Sequence, residues 1–124
     1  MTMTPQVRAG RVYDEPTGQD GSRVLVDRVW PRGRRKDELR LDEWCKQIAP
    51  STELRKWYAH DRQRFAEFRH RYLIELQDPE RAEALAHLRH LATQGALTLL
   101  TATQHVEISQ AAVLADVIRA GSRG

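Results

Sequence analysis

The chain has 124 residues, of which 40% are hydrophobic and 30% are charged, and 20 Lys and Arg against 17 Asp and Glu give a formal net charge of +3. This length and composition exclude an intrinsically disordered chain and predict one soluble domain over residues 1–124. The basic excess is compatible with an anionic partner, but it falls short of the strongly basic surface that is typical of a dedicated nucleic-acid binder.

The cysteine count and the lack of long apolar runs predict a cytoplasmic protein. Cys45 is the one cysteine, so no disulfide can form within the chain. The first residues, MTMTPQVRAGRVYDEP, lack the apolar core of a signal peptide. No stretch approaches the roughly 20 apolar residues that a membrane span needs. The ends, residues 1–6 and 121–124, are predicted to be disordered.

Two strands are predicted near the beginning of the chain. Residues 6–13 form a weak candidate that two arginines and a glycine interrupt, which favours a position at the edge of a sheet. A loop rich in Gly and Pro follows over residues 14–22. Residues 23–28 contain the run Val24-Leu25-Val26 without polar alternation, which predicts a strand buried on both faces.

The hydrophobic period becomes helical after residue 40. Leu41, Trp44, Cys45 and Ile48 fall at i, i+3, i+4 and i+7, which predicts a first short helix that Pro50 ends.

Three more helices are predicted before the next strand. Ser51 is suited to cap the second helix, and a third begins near Asp61. Asp78 and Pro79 are typical of the start of a helix, and Gly95 is typical of the end of that fourth helix.

A second buried strand is predicted over residues 97–103, and a last helix over residues 106–120. The long connection between the two buried strands predicts that they pair in parallel through a right-handed crossover. The predicted fold is therefore a small three-layer α/β domain, with a short, mostly parallel sheet under heavy helical cover. Ligands of such sheets bind beyond the carboxyl ends of the strands, here at residues 27–36 and 101–105.

Two long motifs carry a family resemblance. The runs VDRVWPRG over residues 26–33 and APSTELRKW over residues 49–57 are specific, and over residues 11–118 the sequence resembles the YeaO-like bacterial proteins, known as domain of unknown function 488. The resemblance implies a small α/β domain and no settled biochemical activity.

The sequence departs from the family pattern at the end of the last strand. Thr101 stands in place of a tyrosine, His105 in place of an aspartate, and Ser109-Gln110 in place of Asn-His. If the family shares a reaction that uses both strand ends, the resemblance implies that this member has lost or changed it.

Asp27 and Arg28 follow the first buried strand and are the first candidate site residues. Asp27 could orient a ligand or act as an acid or base, or the two could form a structural ion pair. Arg32 belongs to a cluster of four cations, and the fork of an arginine suits phosphate or carboxylate. The alternative is a solvated loop, because Asp37 and Glu38 follow at once.

The other candidates lie in the loop after the strand and at helix ends. Trp30 could stack on a planar ligand or pack beneath the arginine loop. Ser51 and Arg55 could hold an anion at a helix N-terminus, although Ser51 could also be a plain cap. His60 and His105 could titrate near neutral pH.

These residues predict a ligand site but no defined reaction. The common nucleotide-binding, dinucleotide-binding and hydrolase motifs are absent, and no residue spacing matches a metal site, so neither a metal nor a cofactor is predicted. The leading hypothesis is a protein that binds an anionic small molecule or nucleotide at the strand ends, with catalysis undecided. A nucleic-acid-binding or regulatory protein and a protein-interaction module are the alternatives, and the oligomeric state is left open.

Overall fold

A computed structural model of the protein describes residues 6–121. Its sheet has four strands that all pair in parallel, in the order β1-β4-β2-β3. The strands are β1 (Val7–Arg11), β2 (Ser22–Leu25), β3 (Glu43–Trp44) and β4 (Leu97–Thr101).

Five α-helices and three short 3-10 turns connect and follow the strands. The helices are α1 (Lys36–Leu39), α2 (Thr52–Tyr58), α3 (Phe65–Glu75), α4 (Pro79–Gln94) and α5 (Gln110–Gly121). The 3-10 turns cover Lys46–Ile48, Arg62–Arg64 and Val106–Ile108.

The two buried strands pair as their sequences predict. In β2 and β4, Val24 lies opposite Leu99 and Leu25 lies opposite Leu100, and all four side chains are fully or almost fully buried. Such central parallel strands are covered on both faces, which explains why their apolar runs lack polar alternation. The predicted edge position of β1 is also confirmed, since β1 pairs with β4 alone.

Two hydrophobic clusters cover the two faces of the sheet. The larger one draws buried side chains from α2, α3, α4 and α5, among them Tyr58, Tyr72, Leu88 and Leu114. The smaller one is built on Leu25 and Leu100, with Leu39 of α1 and two tryptophans packed against it. Helices on one face and α1 with its loops on the other confirm the three-layer α/β class.

The helix predicted from Leu41 is wrong. Residues 43–44 instead form β3, and Cys45 N donates a hydrogen bond of 2.8 Å to Leu25 O. The four apolar residues do not share one face, because Leu41 and Trp44 pack in the smaller cluster whereas Cys45 and Ile48 belong to the larger. The helical spacing of these four residues therefore comes from a short strand and its flanking residues, whose side chains pack on both faces of the sheet.

Other boundaries shift by a few residues. The strand predicted over residues 23–28 ends at Leu25, although Val26 N still donates to Leu100 O, and the strand predicted over 97–103 ends at Thr101. The third and last predicted helices each begin with a 3-10 turn, and α1 is not predicted by the sequence pattern. Asp78 stands before α4, but its side chain makes no capping hydrogen bond.

The ends predicted to be disordered are residues 1–6 and 121–124, and of these residues 1–5 and 122–124 lie outside the described residues. Of the two that are described, Gln6 O accepts a hydrogen bond from Leu97 N, and Gly121 is the last residue of α5. In residues 6–121 no helix combines the length and apolarity that crossing a bilayer requires.

Candidate functional site

A cleft of about 570 Å³ opens beyond the carboxyl ends of β2 and β4. Its walls come from the segment after β2, the inner side of α2, the segment after β4 and the first residue of α5. The lining side chains that matter for its chemistry are Asp27, Arg28, Trp30, Arg32, Arg55, Lys56, His60, Thr103 and Gln110. We call this space the strand-end cleft.

A larger depression of about 790 Å³ lies at the opposite edge of the sheet. It is lined by the start of β1, the loop before β2 and the start of β4, and Arg8 is its one charged residue. Arg8 forms an ion pair with Asp20, which also pairs with Arg23. Because the strand-end cleft contains several cations and this depression contains one, the strand-end cleft is the candidate site.

Asp27 forms the floor of the strand-end cleft. Its Oδ2 accepts a hydrogen bond of 2.8 Å from Ala102 N, and its Oδ1 accepts one of 2.5 Å from Gln110 Nε2. The main-chain oxygen of Asp27 accepts from the indole of Trp44 at 2.7 Å, which fixes the backbone as well. Asp27 thus joins the ends of β2 and β4 to the start of α5.

Two opposing influences act on the charge of Asp27. Burial raises its pKa above the ordinary value, while hydrogen bonds from Ala102 N and the Thr101 side chain act to lower it. The positive charges of Arg55 and His60 also act to lower it, and burial outweighs all of them. Asp27 and Arg55 do not form an ion pair, because no side-chain nitrogen of Arg55 lies within 4.0 Å of a carboxylate oxygen of Asp27.

Four cations line the cleft, namely Arg28, Arg32, Arg55 and Lys56. Within residues 6–121 none of the four has a carboxylate oxygen within 4.0 Å. The neighbouring Arg35 differs, because it pairs with Glu38 at 3.2 Å. The cleft therefore carries positive charge that the described part of the protein does not neutralise.

Arg55 is the most enclosed of these cations. Its Nη2 donates a hydrogen bond of 3.3 Å to Thr52 Oγ1, one turn earlier on α2. Its Nε is buried and has no hydrogen-bond partner among the described residues. A buried N–H without an acceptor is costly, so this atom would gain from a ligand that accepts a hydrogen bond.

Trp30 braces the arginine loop in addition to lining the cleft. Its indole Nε1 donates a hydrogen bond of 2.7 Å to Arg34 O. Its ring meets that of Trp44 edge to face, with centroids 5.2 Å apart. These contacts hold residues 30–34 beside the cleft, which accounts for a tryptophan at this point of the sequence.

Ser51 caps α2, as predicted, but does not line the cleft. Its Oγ accepts from Leu54 N at 3.1 Å and donates to Glu75 Oε2 at 2.5 Å. The main-chain N–H of Ser51 donates to Glu75 Oε1 at 2.8 Å. The carboxylate of Glu75 thus fills the place at this N-terminus where the sequence suggested a bound anion.

The two candidate histidines separate. His60 lines the cleft and directly follows the end of α2, and both it and Ala59 have left-handed backbone angles, with φ of 57° and 46°. His105 is exposed and lies outside the cleft, with its Nδ1 3.8 Å from Glu107 Oε1. The structure therefore brings together six of the eight predicted residues and leaves out Ser51 and His105.

Gln110, Lys56 and Thr103 line the cleft although the sequence did not single them out as ligand-binding residues. Gln110 was noticed as a departure from the family pattern. Its place near the start of the helix predicted over residues 106–120 was an available signal, because that end of the helix follows the carboxyl edge of the sheet.

The described residues offer no cluster for a metal ion, and the cysteine is poorly suited to act as a nucleophile. Within residues 6–121 no three His, Cys, Asp or Glu side chains cluster so that they could hold a metal ion. Cys45 lies outside the cleft, and burial raises the pKa of its thiol to about 11, which disfavours the nucleophilic thiolate. Tyr58 donates its hydroxyl to Ile108 O at 2.6 Å.

The comparisons with known proteins agree on a family. The sequence model described as "Inactive DUF488-N3 subclade" matches residues 6–122. Uncharacterized proteins of Mycobacterium bovis and Mycobacterium tuberculosis are each 51% identical over 118 residues, which is 95% of this chain and 98% of theirs. The uncharacterized protein YeaO of Escherichia coli is 44% identical over 113 residues, 91% of this chain and 96% of that protein. No solved structure matches significantly. The chain therefore belongs to the YeaO-like DUF488 family.

Proposed function

We propose that the protein binds an anionic small molecule in the strand-end cleft and does not transform it. The observation that carries this proposal is the charge of the cleft, where four lining cations have no carboxylate within ion-pair distance in the described residues. Two of them, Arg28 and Arg32, are exposed at the rim, whereas Arg55 is partly enclosed by α2. Guanidinium groups in such a setting favour phosphate or carboxylate.

Two observations support binding without catalysis. Asp27, the one carboxylate among the lining residues, is already held by hydrogen bonds from Ala102 N and Gln110. The description of the matched family model also calls the subclade inactive. Cations that are unpaired within the described residues, beside a carboxylate that the protein already holds, favour recognition over turnover.

Isothermal titration calorimetry with inorganic pyrophosphate tests the proposal. We expect binding that Arg55→Gln and Arg32→Gln each weaken by about tenfold, as loss of one charged hydrogen bond predicts. Arg35→Gln is the matched control, because Arg35 is exposed and paired with Glu38. Undetectable binding of pyrophosphate by the folded wild-type protein would overturn the proposal.

Nucleic-acid binding is the second candidate, and the exposure of Arg28, Arg32 and Lys56 at the rim favours it. A short single-stranded oligonucleotide titrated at roughly 50 mM and 200 mM salt separates the two. Affinity for the oligonucleotide that exceeds that for pyrophosphate and falls steeply with salt would favour this candidate.

The cytoplasm is the compartment we propose, since the one cysteine is a buried free thiol.

A further inference from the structure

The floor and the rim of the strand-end cleft differ in hydrogen-bonding character. The rim carries the exposed cations Arg28, Arg32 and Lys56, which only donate. The floor carries the carboxylate of Asp27 and the side chain of Gln110, which supply acceptors. A ligand that satisfies both regions has an anionic group at one end and N–H donors at the other.

The acceptors on the floor are not exhausted by the protein. An ionised carboxylate offers about four lone-pair positions, and three donors reach Asp27, from Ala102 N, Gln110 Nε2 and the Thr101 side chain. Gln110 donates its amide N–H to Asp27, and its Oε1 accepts no hydrogen bond from residues 6–121. Two neighbouring lining residues, Asp27 and Gln110, therefore keep acceptor positions that the described residues do not use.

The size and walls of the cleft suit a planar group between these two ends. Its volume of about 570 Å³ lies within the range of small-molecule sites. The rings of Trp30 and His60 line it and could lie beside a flat heterocycle. The ring of Tyr13 also lines it, but the guanidinium groups of Arg11 and Arg34 lie over that ring.

We propose that the ligand is a nucleotide whose base donates N–H groups to Asp27 and Gln110, with its phosphate toward Arg28, Arg32 and Lys56. This inference rests on the proposed function, because it assigns a ligand class to the same cleft. Guanine is the natural base with adjacent ring and exocyclic N–H donors, so it fits a pair of neighbouring acceptors. The expected difference in affinity between a base that has these N–H donors and one that lacks them is that of a hydrogen bond to a charged group.

Calorimetry with three probes tests the inference, namely pyrophosphate, guanosine 5′-monophosphate and purine riboside 5′-monophosphate. The two nucleotides share phosphate, ribose and ring size, but the second has no N–H donor on its base. We expect the guanosine nucleotide to bind at least about tenfold more tightly. Equal affinity for the two nucleotides would overturn the inference while pyrophosphate binding still supported the proposed function.

Two variants locate the preference. Asp27→Asn reduces the number of acceptors, and we expect it to bring the affinities for the two nucleotides within about twofold of each other. Gln110→Met removes the second acceptor and serves if circular dichroism shows that Asp27→Asn is unfolded. A tenfold preference that survives in a folded Asp27→Asn protein would overturn the inference. If none of the three probes binds the wild-type protein, the proposed function itself fails.

Discussion

Gln110 Nε2 donates a hydrogen bond of 2.5 Å to Asp27 Oδ1 and so joins the start of α5 to the end of β2, 83 positions apart in sequence. The bond orients the one carboxylate of the strand-end cleft and satisfies an oxygen that burial would otherwise leave without a donor. The same pair supplies the acceptors that we propose for recognition of the ligand, so one contact would serve both the fold and the proposed site.

Gln110→Leu is expected to lower the free energy of unfolding by about 1–2 kcal/mol, because it leaves a carboxylate oxygen of Asp27 without its donor. Urea denaturation at neutral pH measures the loss, and Gln104→Leu, at an exposed position outside the cleft, is the control. The loss should shrink as the pH falls through the pKa of Asp27, since the protonated group needs fewer donors. A stability equal to that of wild type at neutral pH would show that the bond contributes nothing.

Asp20 provides a prediction about acid stability. Burial acts to raise its pKa, but hydrogen bonds from Thr17 and the guanidinium groups of Arg23 and Arg8 outweigh this and lower the pKa from 3.8 to about 2. Because the folded-state pKa lies below that of the unfolded chain, the stabilisation is complete above pH 3.8 and is lost as the pH falls toward 2.

Asp20→Asn should therefore cost about 3 kcal/mol at neutral pH, because Arg23 is buried and would lose its paired charge. Urea titrations at a series of pH values measure the free energy of unfolding, and the difference between Asp20→Asn and wild type should become smaller as the pH falls from 4 to 2. Asp37→Asn, at a carboxylate that is 75% exposed, should leave stability unchanged. A difference in the free energy of unfolding that stays the same at every pH would contradict a stabilising role for ionised Asp20.

The parts of the fold that the sequence predicts are those where one local rule dominates. Three features each have one favoured interpretation that is confirmed, namely the apolar run Val24-Leu25-Val26 at β2, the leucine-rich β4 and the serine at the start of α2. The helix predicted from Leu41 is wrong because apolar residues around a two-residue strand happen to have helical spacing. Leu41 and Trp44 pack on one face of the sheet, whereas Cys45 and Ile48 pack on the other. Only the pairing of β3 with β2 distinguishes the two patterns, and that contact is not local.

The site shows the same division. The rule that ligands bind at strand ends led to Asp27, Arg28 and Arg32, because each follows a recognisable buried strand. It did not predict that Glu75, from another helix, occupies the capped end of α2 at Ser51, since that contact spans 24 residues. Contacts with residues that are distant in sequence decide whether a candidate side chain lines the cleft or is already hydrogen-bonded to another part of the protein.

The hydroxyl of Tyr72 is expected to stabilise the core. It donates a hydrogen bond of 2.5 Å to Ile48 O, and the side chain is fully buried. Tyr72→Phe should lower the free energy of unfolding by about 1–3 kcal/mol, because it leaves a buried carbonyl without a partner. Tyr13→Phe, at a tyrosine that is 36% exposed, is the control and should change stability little. Equal effects of the two substitutions in urea denaturation would contradict this account.

Gly21 and Gly33 allow a paired test of close packing. Both have positive φ, of 63° and 76°, but a Cβ at Gly21 would lie 2.0 Å from Ala96 O whereas one at Gly33 meets nothing within 4 Å. Gly33→Ala should cost about 1 kcal/mol for its backbone conformation alone. Gly21→Ala should cost clearly more, because the backbone of the loop before β4 must move. Thermal unfolding of the two variants side by side gives the comparison, and a smaller loss for Gly21→Ala would be inconsistent with the packing.

The most direct test of the central claim is the calorimetric titration of the wild-type protein with pyrophosphate, together with its Arg55→Gln variant. The cleft places the buried, unpartnered Nε of Arg55 among cations that lack carboxylate partners in the described residues. Saturable binding that weakens by about tenfold in Arg55→Gln, and is unchanged in Arg35→Gln, is the predicted result. No binding by the folded wild-type protein, or binding that all three proteins share equally, would contradict a ligand site at the strand ends.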